Sequence, residues 1–276
     1  MHLSFEFFPP KTGEGLQNVL SVAEQLSVFS PEYFSVTHGA GGSVQDFTMS
    51  TIAALQKRGD QVAPHVSCIG AKKESIRSLL QHYQDHGIQR IFALRGDLPS
   101  GMGSSSREFH YARDLVAFIR DTTGDAFHIS VAVYPECHPQ ATSMVTDLQH
   151  FKEKVEAGAS SAITQYFYHP EAYAQLLADC HRLKIELPIT PGIMPIYHFS
   201  QLCRFSEMCG AEIPRYIRKR MESYGDDVAS VQAFGIEVVS RLCQDLLKAG
   251  APGLHFYTLN KSNIVSQILQ NLSIGS

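Results

Sequence analysis

The segment Leu3-Ser4-Phe5-Glu6-Phe7-Phe8, closed by Pro9-Pro10-Lys11, reads as a β-strand ended by a proline break, and it carries one carboxylate inside an otherwise apolar run. Glutamate is seldom buried without a partner. An ionised carboxylate moved into an apolar site meets a desolvation cost and tends to keep its proton instead. A carboxyl that is protonated near neutrality suits general-acid chemistry. The competing reading is that Glu6 pairs with an Arg or Lys across a barrel interior.

Seven further β-rich runs follow, at 33–37, 62–69, 90–94, 128–134, 161–167, 187–193 and 254–259. Most are near-continuous apolar stretches, as parallel strands covered on both faces require. Helical periodicity separates them. The stretch 15–29 is apolar at Leu16, Val19, Leu20, Ala23, Leu26 and Val28, and 47–55, 76–83, 112–119, 145–155, 173–180, 199–208 and 231–247 are spaced alike. A last helix is expected over 262–272. Eight strand–helix units predict an α/β fold, a (β/α)8 TIM barrel forming a single domain over residues 1–276. An additional helix over 214–224 is expected before strand eight. A doubly wound open sheet is the alternative, but no Gly-rich dinucleotide fingerprint follows an early strand. The Gly/Ser-rich loop 96–106 is a candidate lid.

Composition narrows the function classes. With 276 residues, 44% hydrophobic and 18% charged, the chain fits a globular protein. A net charge of −4 offers no footprint for nucleic acid. No apolar stretch has the length of a membrane span, and no signal or transit peptide is visible at the N-terminus. The six cysteines form no C-x-x-C pair, which suggests reduced thiols and a cytoplasmic setting.

In a TIM barrel, function gathers at the C-terminal strand ends. Those ends carry Glu6, Thr37-His38-Gly39-Ala40, His65, Cys68, Arg95-Gly96-Asp97, Tyr134-Pro135-Glu136-Cys137-His138, Thr164-Gln165-Tyr166 and Tyr257-Thr258-Leu259-Asn260-Lys261. Two chemistries suit such a rim. His38, His65, His138 and Asp97 can ligate a hydrolytic metal, although no H-x-H or H-E-x-x-H pair is present. Alternatively, the scattered neutral donors and cations can hold an organic cofactor. Residue types alone do not choose between them.

Seven motifs occur in order: Ser4-Phe5-Glu6-Phe7-Phe8-Pro9-Pro10-Lys11, Val36-Thr37-His38-Gly39-Ala40, Ala93-Leu94-Arg95-Gly96-Asp97, Tyr134-Pro135-Glu136-Cys137-His138-Pro139, Thr164-Gln165-Tyr166-Phe167, Pro191-Gly192-Ile193-Met194-Pro195 and His255-Phe256-Tyr257-Thr258-Leu259-Asn260. Together they resemble the bacterial type of 5,10-methylenetetrahydrofolate reductase over nearly the whole chain. The resemblance implies a barrel with noncovalent FAD and without the regulatory domain that eukaryotic enzymes append. The implied reaction reduces 5,10-methylenetetrahydrofolate to 5-methyltetrahydrofolate, with NADH or NADPH as donor, in a ping-pong cycle through the flavin. Glu6 matches the acid that protonates N10 as the substrate ring opens.

The resemblance also carries over individual positions. Asp97 matches an aspartate beside flavin and pterin that favours a cationic iminium. Thr37, Gln165, Gln201, Phe205 and Lys261 match substrate contacts, with Phe205 stacking alternately on nicotinamide and folate. For FAD the matched positions are Thr37, His38, Ala40, His65, Arg95, Gly96, Asp97, Ala112, Tyr134, His138, Ala141, Asp147, His150 and Lys154. His38 stands where Tyr is familiar, His150 where Asn is, and Glu153 where a base is frequent. Lys261 replaces a usual Arg, which keeps the charge and loses the planar fork. The cluster Arg215, Arg218, Lys219, Arg220 reads as a solvated helix face, a subunit contact in a homo-oligomer, or an attractor for an acidic folate tail.

Overall fold

Side chains alternate between the two faces of a strand, so a strand covered by helices on one side and enclosed by a barrel on the other must satisfy two environments. The computed structural model describes residues 1–38, 42–96 and 108–274, the side chains of 42–46 excepted. Among them the order is β1 (His2–Phe7), α1 (Gly13–Ser27), β2 (Tyr33–Val36), α2 (Gly42–Lys57), β3 (Val62–Ser67), α3 (Lys73–Asp85), β4 (Arg90–Leu94), α4 (Ala112–Thr123) and β5 (His128–Val133). There follow α5 (Met144–Glu156), β6 (Ser161–Thr164), α6 (Pro170–Arg182), β7 (Ile189–Thr190), β8 (Gly192–Ile193), α7 (Phe199–Cys209), α8 (Arg215–Tyr224), α9 (Val228–Lys248), β9 (Gly253–Tyr257) and α10 (Asn263–Asn271).

The strands pair in parallel in the order β7-β6-β5-β4-β3-β2-β1-β9-β8. β7 and β8 are two halves of one barrel stave. β7 pairs with β6 through Ala162↔Ile189, and β8 pairs with β9 through Gly192↔His255. Pro191 divides them; it has no N–H to donate, but its carbonyl accepts from His255 N at 3.0 Å. The stave thus turns from one neighbour to the other, and eight staves close as a TIM barrel. The single strand expected over 187–193 is these two short pieces. α8 is the additional helix expected before the last strand.

On β1 the alternation is explicit. Phe5 and Phe7 stack on Phe34 of β2, with ring centroids 5.9 and 5.3 Å apart, and Phe5 meets Phe256 of β9. These rings belong to the apolar core shared with α1 residues Val19, Val22, Ala23 and Leu26. Ser4 and Glu6 occupy the opposite face, where the registers Ser4↔His255, Glu6↔Tyr257 and Glu6↔Ser35 give them interior neighbours. α1 begins at Thr12, whose hydroxyl accepts from Gly15 N at 3.1 Å.

A clamp holds the barrel seam. Asn260 Nδ2 donates to the Phe8 carbonyl and Asn260 Oδ1 accepts from Phe8 N, both at 2.9 Å. Thr258 Oγ1 donates to the Glu6 carbonyl at 2.6 Å. Leu259 and Asn260 both have positive φ, the tight turn that lets the asparagine reach back. No helix among the described residues is long and apolar enough to cross a membrane.

The split stave leaves no room at Gly192, where an added Cβ would lie 2.2 Å from the Thr164 carbonyl oxygen and 2.7 Å from the Tyr257 ring. Gly192→Ala is expected to cost about 3 kcal/mol through overpacking, read as a lower urea midpoint. Gly13→Ala, where nothing lies within 4 Å, should leave the midpoint nearly unchanged.

Candidate functional site

β1 delivers Glu6 to the interior one residue before the strand ends, between β2 and β9. The residue is 8% exposed, so its carboxyl meets the outside only through a narrow opening. Its nearest basic groups are imidazoles: His65 Nε2 lies 3.4 Å and His255 Nε2 3.7 Å from Oε2. Among the described residues neither nitrogen has a hydrogen-bond partner, nor does the enclosed Ser35 hydroxyl. Among the described residues Glu6 forms no ion pair with Arg or Lys, so the cross-barrel pairing considered from the sequence is not what the fold provides. Burial pushes the His65 imidazole down to about 4; the Glu6 charge opposes that shift, while His255 and His38 add to it. His65 is therefore neutral beside the carboxyl at physiological pH. It packs on Phe92 with ring centroids 4.7 Å apart. His255 is held by a 2.7 Å hydrogen bond between Nδ1 and Ser4 Oγ. That contact turns Nε2 toward Glu6.

A cavity of about 560 Å³ opens at the C-terminal ends of β4 and β5 and runs outward between α4 and α5. Ala93, Ala112, Ala132 and Ala141 keep its walls thin, while Arg95, Asp147 and Lys154 line it with charge. Gly96 has φ +85, and a Cβ there would strike Ser67 Oγ, so only glycine fits this turn at the cavity edge. Arg95 Nη2 donates to Gln140 Oε1. His138 Nδ1 accepts from Gln140 N at 3.0 Å, which leaves Nε2 as the donor of the neutral ring. Asp147 Oδ2 accepts from His138 N at 2.8 Å and so holds the loop after β5. Lys154 Nζ donates to the Ala132 carbonyl at 2.5 Å. Burial draws the Lys154 ammonium down to about 8, with the Asp147 charge opposing.

Of the positions singled out in the sequence, Arg95, Gly96, Ala112, Tyr134, His138, Ala141, Asp147, His150 and Lys154 meet on this one cavity. Thr37 and His38 follow β2 and His65 lies on β3, on the Glu6 side. Gln165 follows β6, and its Oε1 accepts from Tyr166 N at 2.9 Å. Gln201 and Phe205 lie one turn apart on α7, with the Arg204 guanidinium 5.6 Å above the Phe205 ring. Lys261 is exposed, its ammonium 4.8 Å over the Tyr197 ring. Ala40, Asp97 and most of the 96–106 loop fall outside the described residues. The metal reading is not favoured by the residues that are described. Among the described residues no three His, Cys, Asp or Glu side chains gather as a metal site. His65 faces Glu6, whereas His138 is engaged on the cavity by Gln140.

Sequence reasoning quoted His255, Asn260 and Tyr257 within the last motif but gave none of them a role of its own. The first two lie 249 and 254 positions beyond Glu6 (255 − 6 and 260 − 6), so only barrel closure brings them near it. Their signal was the polar residues in the final strand motif. Tyr257 donates its hydroxyl to the Thr164 carbonyl at 2.8 Å, spanning the interior from the last stave to the sixth.

The closed parallel sheet, the interior acid and the lined cavity at one rim define a (β/α)8-barrel enzyme. The family model for methylenetetrahydrofolate reductase matches residues 1–273. A 5,10-methylenetetrahydrofolate reductase of Salmonella typhimurium is 37% identical over 275 residues, covering 99% of this chain and 91% of the relative. Methylenetetrahydrofolate reductase (NADH) 1 of Arabidopsis thaliana is 36% identical over 284 residues, covering 98% of this chain and 48% of the relative. An uncharacterized protein from Clostridium thermocellum, whose structure is described as binding two copies of 5-methyl-5,6,7,8-tetrahydrofolic acid, has a TM-score of 0.68 at 16% identity. That likeness covers 99% of this chain and 95% of that chain and speaks to the fold alone. The chain belongs to the methylenetetrahydrofolate reductase family.

The buried histidines set an acid limit. Burial also pushes His128 down to about 4, assisted by the Arg90 charge. Between pH 6.5 and 4 the unfolded chain therefore binds protons that His65 and His128 refuse in the fold, and stability falls as pH drops through that window. For His65 the loss is on the order of 3 kcal/mol. Urea midpoints measured from pH 7 to 4 should decline, and the decline should be shallower in His65→Phe. An NMR titration should find the His65 ring neutral at pH 5.

Proposed function

We propose that this chain reduces 5,10-methylenetetrahydrofolate to 5-methyltetrahydrofolate, with electrons from NADH or NADPH passing through noncovalent FAD in a ping-pong cycle. The observation that carries the reading is Glu6: a nearly buried carboxyl, with no Arg or Lys partner among the described residues and two imidazoles close by, on the rim shared with the lined cavity. Its chemistry suits a general acid that gives a proton to the departing N10. The Ser4–His255 hydrogen bond would keep the acid oriented between turnovers.

The cavity's donors fit a flavin dinucleotide. Arg95 and Lys154 would meet its diphosphate, Asp147 and the His138 Nε2 edge its hydroxyls, and the alanine walls would admit flat rings. Thr37, His38, His65, Tyr134 and His150, with Ala40 and Asp97, complete the proposed set. Bound FAD would supply hydride transfer between donor and folate. Gln165 would bind the pterin, since its amide both donates and accepts. Asp97 would favour positive charge on the substrate. Phe205 would offer one stacking face to both substrates in turn, flanked by Gln201. Lys261 would meet the folate carboxylates as a point charge. The Arabidopsis relative carries NADH in its name, which makes NADH the first donor to compare with NADPH. Cytoplasmic residence fits such a reaction.

The purified protein should be yellow and bleach on anaerobic addition of NADH. Glu6→Gln should leave that bleaching rate nearly unchanged and slow reoxidation by methylenetetrahydrofolate by about 10²–10⁴-fold. Equal loss in both half-reactions would remove Glu6 from the acid role. FAD affinity should fall as pH rises through about 8, where Lys154 of the flavin-free protein loses its proton. Fluorescence titrations should show that slope in the wild type and a flatter one in Lys154→Met.

A further inference from the structure

Four side chains at the outer end of the cavity close on one another. Tyr111 caps α4 and Arg113 stands in its first turn, while His150 and Glu153 lie on α5. The Tyr111 and His150 rings stack with centroids 5.7 Å apart and planes 17° from parallel. The Arg113 guanidinium lies 4.8 Å from the Tyr111 ring centroid. One oxygen, Glu153 Oε2, accepts from both Arg113 Nη1 and, at 3.1 Å, His150 Nδ1. Desolvation works against the Glu153 charge, but the bonds from His150 and Arg113 hold its carboxyl below the ordinary range. All four residues line the cavity.

This arrangement matters for an anionic ligand. Arg113 is a third cation on the cavity wall, after Arg95 and Lys154, and a carboxylate inside the same cavity occupies it. The helix start that carries Arg113 is rigid: Asp114 Oδ2 accepts from both His110 N and Tyr111 N, at 2.8 and 2.9 Å. A guanidinium presents five donors in a fixed fork, so it can exchange one oxyanion for another without moving its backbone.

We propose that Arg113 is a diphosphate-binding residue of the dinucleotide cavity and that Glu153 is its internal competitor, holding the guanidinium in place until a phosphate oxygen takes over the Nη1 edge. This rests on the reading of the cavity as a dinucleotide site. Glu153 thereby sets an upper limit on affinity. A neutral acceptor at 153 keeps the guanidinium aimed and removes the charge on its Nη1 edge, while Asp114 Oδ1, 3.6 Å from Arg113 Nε, is present in every variant. The contact discriminates by charge: it acts on ligands with a diphosphate and ignores the flavin ring.

The test uses the full-length chain stripped of flavin and titrated with FAD, ADP and riboflavin by fluorescence and calorimetry. Arg113→Gln should weaken FAD and ADP about 10-fold, the scale of one charge-assisted hydrogen bond, and leave riboflavin unchanged. Glu153→Gln should tighten FAD and ADP by a similar factor. Arg113→Lys, which keeps charge without the fork, should fall between wild type and Arg113→Gln and guards against a folding defect. Unchanged FAD and ADP affinities in both Gln variants, or an equal loss for riboflavin, would overturn the role of Arg113 while leaving the cavity reading intact. A wild-type chain that binds none of the three ligands would overturn the cavity reading itself, and this proposal with it.

Discussion

β1 is hydrogen-bonded on both sides, to β2 and to β9, and that double pairing decides the environment of every residue on it. With both edges taken, the strand cannot slip by one residue without sending Phe5 and Phe7 into the interior and Glu6 into the helix layer. The apolar rings on one face thus secure the position of a carboxyl on the other. The Asn260 clamp and the Thr258–Glu6 bond tie the end of the first stave to the end of the last. What holds the barrel closed is also what positions that carboxyl.

The interior around Glu6 is polar but sparing with charge. Two imidazoles, a serine hydroxyl and a tyrosine surround the carboxyl, and among the described residues no Arg or Lys pairs with it. His65 is kept neutral by burial, so the site gathers hydrogen-bonding capacity without a fixed positive partner. The cavity at the ends of β4 and β5 is the opposite case. Arg95, Arg113 and Lys154 bring positive charge to one wall, and Asp147 and Glu153 temper it. One rim therefore combines a region suited to proton transfer with a region suited to holding an anion, and the barrel separates them by placing each on different strand ends.

Much of this was legible in the residue order. The alternation of Ser4 and Glu6 with Phe5 and Phe7, the eight apolar runs and the intervening helical periodicity are local patterns, and local patterns specify elements. The helix over 215–224 was visible for the same reason. The break at Pro191 was harder to see as a break, since Leu187 to Ile193 is apolar throughout and only the hydrogen-bond partners reveal two half-strands. Nine of the expected cofactor positions meet on one cavity because they lie at the ends of β4 and β5 and on the two helices that follow. The Arg113–Glu153 pairing was not legible, because 40 positions separate the two residues and neither sits in a recognisable motif.

From the chain order alone came the strand and helix content, the barrel class, and the choice of Glu6 as the residue out of place. Those follow from side-chain periodicity and from the cost of burying a lone carboxylate. Tertiary structure alone decided what surrounds that carboxyl, how the seventh stave bridges its neighbours, and which cation faces which anion at the cavity mouth. These depend on contacts between residues tens to hundreds of positions apart. Such contacts exist only once the sheet has closed on itself and the helices have taken their places around it.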